Sequence, residues 1–137
     1  MRAPTIRVML ATALAVSCVA VWSPGFAATG DAKKGKEKFR ENMRCSSCHG
    51  ESGKGDGMAA AALNPKPRDF TDGKLMNPKT DEQLFKVIKE GGASVKLSPL
   101  MIPWAGQISD QDIGDIVAFI RTLANPPYKA PSQPKKK

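Results

Sequence analysis

The chain has 137 residues, a formal charge of +8 at pH 7, three cysteines and a single histidine. That length accommodates one domain and hardly two, and the single histidine excludes a metal held by two histidines of this chain. Aromatic residues make up only 6% of the sequence. Side chains alone would therefore give a thin core, and we expect something else to fill its middle.

The N-terminal segment, residues 1–27, has the layout of a secretory signal peptide. Two arginines supply its positive flank, and the apolar run 8–22 is shorter than the roughly 20 residues that a membrane-spanning helix needs. Gly25 and Ala27 are the small residues of a cleavage site. We predict cleavage after Ala27, no membrane span afterwards and a periplasmic location. An uncleaved anchor and a lipid anchor on Cys18 are the alternatives.

Cleavage would leave 110 residues with a formal charge of +6, because the two arginines leave with the signal. We expect one monomeric domain over residues 28–124 and a flexible Pro- and Lys-rich tail over residues 125–137. Export argues against a nucleic-acid partner, and the positive charge favours protein partners with acidic surfaces. Many of the lysines lie in the first helix and in the tail, so a merely solvated surface is the alternative interpretation.

Capping residues and apolar spacing predict three main helices in the exported chain. The first covers residues 31–43, is rich in lysine and has Phe39 as its principal apolar anchor. Capping boxes at residues 80–83 and 109–112 begin the second and third helices. Residues 59–63 predict one further short helical piece, and no window alternates well enough to predict a strand. The fold class is therefore all-α, with unusually long loops.

The sequence C-S-S-C-H brings Cys45, Cys48 and His49 within five residues. A structural zinc site needs four ligands, and the exported chain offers only these three of the cysteine and histidine kind. A dithiol redox pair normally lies beside a βαβ pattern, which is missing here. Covalent haem attachment is the standard interpretation, because two such thiols can each bond a porphyrin vinyl group while the histidine reaches the iron. We predict one haem c with its iron, bound through Cys45 and Cys48, with His49 as an axial ligand.

The second axial ligand must come from elsewhere, and Met101 is the candidate that we favour. It lies in a long loop before the last helix, which can carry it to the other face of the haem. A thioether ligand favours ferrous iron and so raises the reduction potential. Met43 adjoins the attachment motif, Met58 follows a glycine-rich loop and Met76 lies mid-chain, so we expect these three to fill gaps in the packing.

The motifs C-S-S-C-H-G, G-K-G-D-G and S-P-L-M-I-P-W-A-G-Q-I, followed by a capped apolar helix, together resemble class I mono-haem c-type cytochromes of the small soluble bacterial type. The resemblance covers about residues 31–123. It implies the cytochrome c fold, in which three main helices and long loops wrap around one covalently bound haem. It also implies that Gly35 and Phe39 meet the last helix near Phe119.

The resemblance further implies a support for the iron-binding histidine. The carbonyl of Pro65 or Pro67 would accept the proton on the second ring nitrogen of His49, which fixes the ring and tunes the ligand. From the residues themselves, Arg68 is a candidate partner of a haem propionate, and Trp104 is a candidate to pack near the haem edge. A surface arginine and an ordinary core tryptophan are the alternatives.

Iron with two protein ligands has no open position for a substrate, so this site favours single-electron transfer. We expect a periplasmic electron carrier, not an enzyme, that makes small and transient contacts with redox proteins. Two alternatives stay open. One is an electron-transfer subunit of a larger respiratory oxidoreductase complex. The other is a haem enzyme or gas sensor in which Met101 is displaced.

Overall fold

The computed structural model describes residues 30–41 and 44–129, and the regular structure in these two ranges is helical, without β-strands. This confirms the all-α prediction. The helices, in chain order, are α1 (Ala32–Arg40), α2 (Ser46–His49), α3 (Gly73–Met76), α4 (Asp81–Glu90) and α5 (Asp110–Leu123), with 3₁₀ turns at Ala60–Ala62 and Gly92–Val95. The predicted signal peptide, Met43 and residues 130–137 lie outside the described residues. No helix within the described ranges is both long and apolar enough to cross a membrane.

The three longest helices begin at side chains that cap them. The Asp31 carboxylate accepts hydrogen bonds from two N–H groups in the first turn of α1, at 2.8 and 3.2 Å. Thr80 with Gln83 and Ser109 with Asp112 form complete capping boxes at α4 and α5. These are the starts that the sequence predicts, because a capping box depends on residues only three positions apart.

Helix α1 is shorter than predicted, and two short helices were not predicted at all. α1 ends at Arg40, and the N–H of Arg44 donates to the carbonyl of Glu41 at 3.1 Å. Asp72 caps α3 through its carboxylate. α2 and α3 have only four residues each, which is too short for hydrophobic periodicity to be visible.

The crossing of α1 and α5 is the closest helix contact in the described fold. A Cβ atom at Gly35 would lie 1.9 Å from the carbonyl oxygen of Asp115, so only glycine lets the two backbones approach this far. One turn further along α1, the rings of Phe39 and Phe119 meet edge to face with centroids 5.4 Å apart. Gly35 and Phe39 therefore meet α5 near Phe119, as the family resemblance implies.

Arg121 on α5 ties three parts of the chain together. Its side chain is 9% exposed, and its Nε donates to the Asp81 carboxylate at 2.7 Å. Nη1 donates to the carbonyl of Met76 at 3.1 Å, and Nη2 donates to the carbonyl of Lys79. The guanidinium thereby gives hydrogen-bond donors to backbone carbonyls at and just after the end of α3, and it holds the start of α4 against α5. Met76 itself is 1% exposed and belongs to the core.

The first residues of the predicted tail contact the domain. The N–H of Asn125 donates to the carbonyl of Thr71 at 2.9 Å, and the carbonyl of Asn125 accepts from the N–H of Gly73 at 3.0 Å. The ring of Tyr128 lies against the Arg121 guanidinium, with 3.8 Å between the ring centroid and Cζ. These contacts connect residues 125–128 to the domain, and the flexibility of the tail over residues 125–137 stays a prediction.

The close crossing of α1 and α5 gives a test of the fold. Gly35→Ala should lower the free energy of unfolding of the haem-loaded protein by about 3 kcal/mol, because the added methyl group meets helix backbone that cannot yield without separating the helices. Lys36→Ala, at the neighbouring exposed position, is the matched control and should change it by less than about 0.5 kcal/mol. Denaturant unfolding measures both. Equal stability of the two variants would contradict the close approach.

Candidate haem-binding site

The attachment motif forms α2, a single helical turn. The N–H groups of Cys48 and His49 both donate to the carbonyl of Cys45, at 3.2 and 2.9 Å. Residues three and four positions apart lie on the same side of a helix, so this turn presents both thiols and the imidazole together. The thiols form no disulfide and are half-buried, and burial raises the pKa of the Cys45 thiol to about 11.

The glycine-rich loop after the motif folds back along α2. The N–H of Gly55 donates to the carbonyl of His49 at 2.8 Å, and the N–H of Gly57 donates to the carbonyl of Cys48 at 3.2 Å. These bonds satisfy carbonyls that the end of a helix otherwise leaves without partners. Gly55 has a φ of 74°, in the left-handed region that favours glycine. The glycines therefore let the loop hold the attachment turn in place.

His49 is oriented by a backbone carbonyl and an aromatic ring. Its Nδ1 lies 3.3 Å from the carbonyl oxygen of Arg68. A carbonyl only accepts, so this hydrogen bond requires the proton on Nδ1 and leaves the Nε2 lone pair free for a metal. The Phe70 ring stacks on the imidazole, with centroids 4.4 Å apart and planes inclined by 19°. Burial lowers the pKa of His49, which favours the neutral, metal-binding form.

The carbonyl beside His49 is not the one that the resemblance implies. Pro65 and Pro67 were the expected acceptors, whereas the structure gives this contact to Arg68. The reason lies in the glycine-rich loop. A Cβ atom at Gly55 would lie 2.3 Å from the carbonyl oxygen of Pro67, so that carbonyl is directed at the loop. The next carbonyl along the chain, that of Arg68, then faces the imidazole.

The segment that carries Met101 is fastened to the C-terminal end of α4. The carbonyl of Met101 accepts from the N–H of Gly92 at 2.8 Å, and the N–H of Trp104 donates to the carbonyl of Ile88 at 3.1 Å. The loop thus satisfies backbone groups at a helix end, as the glycine-rich loop does at α2. We call residues 97–104 the methionine loop.

A cavity of about 600 Å³ is lined by both segments that carry the predicted ligands. Cys48, His49 and Met101 lie in its wall, and so do Pro65, Pro67 and Arg68. The rest of the lining is mainly apolar, with Phe70, Leu84, Val87, Ile88, Leu97 and Ile120 among its side chains. The volume falls within the range of about 300–1,000 Å³ that is typical of sites for small molecules and cofactors.

A smaller hollow of about 240 Å³ shares part of this lining and contains the remaining site residues. Cys45 and Trp104 lie in its wall, and Cys48, His49 and Met101 border it as well as the larger cavity. Every predicted site residue therefore lines one of the two spaces. The other candidate methionines do not fit as well: Met58 is 77% exposed, and Met76 is buried in the core.

These residues fit a covalently bound haem. Two thiols, an imidazole with a free Nε2 and a thioether line two largely apolar spaces that share part of their walls. Sequence reasoning missed Phe70 as the ring that stacks on His49 and the carbonyl of Arg68 as its acceptor. A signal for Phe70 was present, because it is the only aromatic residue between the attachment motif and the helix that begins at Asp81. The acceptor carbonyl has no such signal.

An all-helical fold around a C-x-x-C-H turn defines a c-type haem protein, and comparison with known proteins agrees. The sequence model of the cytochrome c family matches residues 32–124. The chain is also 33% identical over 99 residues to cytochrome c-554(547) of Halothiobacillus neapolitanus, which covers 69% of this chain and 98% of that protein. The chain therefore belongs to the cytochrome c family. Membership implies haem c with its iron, electron transfer and redox protein partners.

Two solved structures resemble the fold. One is a chain of the Kuenenia stuttgartiensis reducing HAO-like protein complex, with a TM-score of 0.54, 27% identity and coverage of 68% of this chain. This chain spans only 42% of that one. The other is the KustC0563 c-type cytochrome, with a TM-score of 0.53, 20% identity and coverage of 66% of this chain and 96% of that one. At this identity the second likeness shows the fold alone.

The contact between Gly55 and Pro67 gives a test of the histidine support. Gly55→Ala and Gly106→Ala both place an alanine at positive φ, 74° and 77°, at a cost of about 1–2 kcal/mol each. Only at Gly55 does the new methyl group meet a carbonyl, because nothing lies within 4 Å at Gly106. We expect Gly55→Ala to lose about 2 kcal/mol more in unfolding free energy.

The same pair of variants separates the support of His49 from general stability. Displacing the Pro67–Arg68 segment weakens the hydrogen bond on Nδ1, which makes the imidazole a poorer donor to iron. The reduction potential of Gly55→Ala should therefore lie above that of Gly106→Ala, as measured by redox titration of the haem-loaded proteins. Identical potentials would contradict a role of this segment in tuning His49.

Proposed function

We propose that the chain is a periplasmic mono-haem c-type cytochrome that transfers single electrons between redox partners. Its iron is low-spin and held by His49 and Met101. The observation that supports this most is that Cys48, His49 and Met101 line the same cavity, although the methionine comes from a segment more than 50 residues away in sequence. The signal-like pattern of residues 1–27 supports the periplasmic location.

Each site residue then has a defined task. Cys45 and Cys48 hold the haem covalently, and His49 offers Nε2 to the iron while the Arg68 carbonyl holds its Nδ1 proton. The bound haem supplies an iron that cycles between two oxidation states. Met101 offers a neutral thioether, which favours the lower charge. With two protein ligands no position is left for a substrate, so the site suits electron transfer more than catalysis.

Four peripheral residues complete the proposal. Arg68 lines the large cavity, makes no ion pair among the described residues, and can therefore pair with a haem propionate. Trp104 lines the smaller hollow beside Cys45, which supports packing at the edge of the haem. Pro65 and Pro67 line the large cavity as well, and we propose them as haem contacts.

Replacement of Met101 tests the ligation directly. The oxidised wild type should show a low-spin spectrum with a methionine–iron charge-transfer band, and the reduced wild type should not bind carbon monoxide. Met101→Ala should lose the band and bind carbon monoxide stoichiometrically, because its iron then has an open position. Met58→Ala is the matched control and should behave as the wild type, since Met58 is 77% exposed.

Other spectra would change the proposal. A wild type that is high-spin, or that binds carbon monoxide readily, would contradict the electron carrier. Such a result would favour the alternative of a haem enzyme or gas sensor with a displaceable Met101. If Met58→Ala loses the charge-transfer band and Met101→Ala keeps it, the ligand is Met58, and the proposed assignment of Met101 is wrong. Absence of covalent haem in protein expressed with a haem-maturation system would contradict the attachment through Cys45 and Cys48.

A second candidate function is an electron-transfer subunit of a larger respiratory oxidoreductase complex. It is favoured by the likeness to a chain of the Kuenenia stuttgartiensis reducing HAO-like protein complex, of which this chain spans 42%. The site chemistry would be the same in a carrier and in a subunit. The two proposals differ in whether the contact with the partner is transient or permanent.

The native mass of the haem protein separates these two functions. Extracts of the producing cells are separated by gel filtration, and the fractions that contain this protein are located by haem staining. We expect the protein to elute at the mass of the isolated chain. That result follows from transient contacts, which dissociate on dilution. Elution at a several-fold higher mass in the native extract, together with elution at the mass of the isolated chain when it is expressed alone in a foreign host, would favour the function as a subunit of a complex.

A further inference from the structure

A cation–π contact joins the two segments that carry the axial ligands. The guanidinium of Arg44 lies over the Trp104 ring, 5.9 Å from its centroid. Arg44 immediately precedes Cys45, and Trp104 lies three residues after Met101. Both side chains line the smaller hollow. The contact therefore spans from the attachment turn to the methionine loop at the edge of the haem site.

The Arg44 side chain has no competing carboxylate in the described structure. Two acidic residues near it in sequence are engaged elsewhere, Glu41 with Lys38 at 3.3 Å and Glu51 with Arg40 at 2.8 Å. Arg44 takes part in none of the ion pairs among the described residues. Both partners of the contact are half-buried, and tryptophan is the strongest aromatic partner of a cation.

We propose that Arg44 is a positioning residue that keeps Met101 at the iron by holding Trp104. The hydrogen bonds of the methionine loop fasten it to α4, through Gly92 and Ile88. The contact between Arg44 and Trp104 fastens the same loop to the opposite side of the site, where Cys45 and His49 lie. We call this contact the clasp. The inference rests on the proposed function, because it presupposes Met101 as a ligand of the iron.

The affinity of the oxidised haem-loaded protein for imidazole measures how firmly Met101 is held, because imidazole competes with the methionine for iron. Loss of the clasp should favour the displaced loop and tighten imidazole binding about two- to five-fold in Arg44→Gln, given the usual strength of such contacts. Arg44→Lys retains a cation, so its affinity for imidazole should lie closer to that of the wild type than the affinity of Arg44→Gln does. Arg40→Gln removes an exposed arginine of α1 and should leave the affinity unchanged.

A double-mutant cycle separates the clasp from general destabilisation. Trp104→Leu should also tighten imidazole binding, and Arg44→Gln with Trp104→Leu should bind no more tightly than Trp104→Leu alone, because each change removes the same contact. Multiplicative effects of the two changes, or an unchanged affinity in Arg44→Gln, would overturn the inference.

Failure of the clasp and failure of the ligation are distinguishable in the same titration. If the wild type lacks the methionine–iron band before imidazole is added, the proposed ligation is wrong and the inference fails with it. If the wild type has the band and loses it on titration, but Arg44→Gln titrates as the wild type does, only the clasp is wrong. Should Arg44→Gln fold poorly, Arg44→Lys and Trp104→Leu complete the comparison.

Discussion

The site depends on one helical turn, Ser46–His49, that cannot be stable by itself. A turn of four residues presents two thiols and an imidazole on one side, but its own segment supplies only a few backbone hydrogen bonds and leaves the carbonyls at its end without partners. The glycine-rich loop supplies the missing partners, through the N–H groups of Gly55 and Gly57. Because Gly55 also approaches Pro67, the loop determines which carbonyl meets His49. One loop thus fixes both the attachment turn and the orientation of the ligand.

The opposite wall of the site follows the same principle. The methionine loop is irregular backbone, and it is held by hydrogen bonds to the end of α4. α4 is in turn held against α5 by Arg121, which also satisfies the carbonyls that follow α3. The longer helices thereby act as a frame for the methionine loop, whereas the attachment turn is held by the glycine-rich loop.

The parts of this structure that were predictable are those determined by near neighbours in sequence. The capping boxes at Thr80 and Ser109 depend on side chains three residues apart, so the starts of α4 and α5 could be predicted. The attachment motif likewise lies within five residues, and the family resemblance that it carries is confirmed by the cytochrome c match.

The parts that were missed depend on contacts between distant segments. Whether Pro67 or Arg68 offers its carbonyl to His49 is decided by a loop more than ten residues earlier in the chain. Asn125 forms backbone bonds to Thr71 and Gly73, although Asn-Pro-Pro in isolation is typical of a helix end and a loose tail. Local pattern contains no information on either pairing, because neither depends on propensity.

Three exposed lysines of α1 lie away from the haem site. Phe39 on the buried face of α1 lines the smaller hollow, whereas Lys33, Lys34 and Lys36 are exposed. Attraction by these lysines acts over about a Debye length, roughly 8–10 Å at ordinary ionic strength, so it can accelerate the encounter with an acidic partner. A contact close enough for electron transfer must instead form beside the cavity. Positive charge also lies where that contact forms, because the larger cavity is lined by Lys66, Arg68 and Lys79. In the proposed carrier, salt should therefore weaken both the approach of an acidic partner and the contact through which the electron passes.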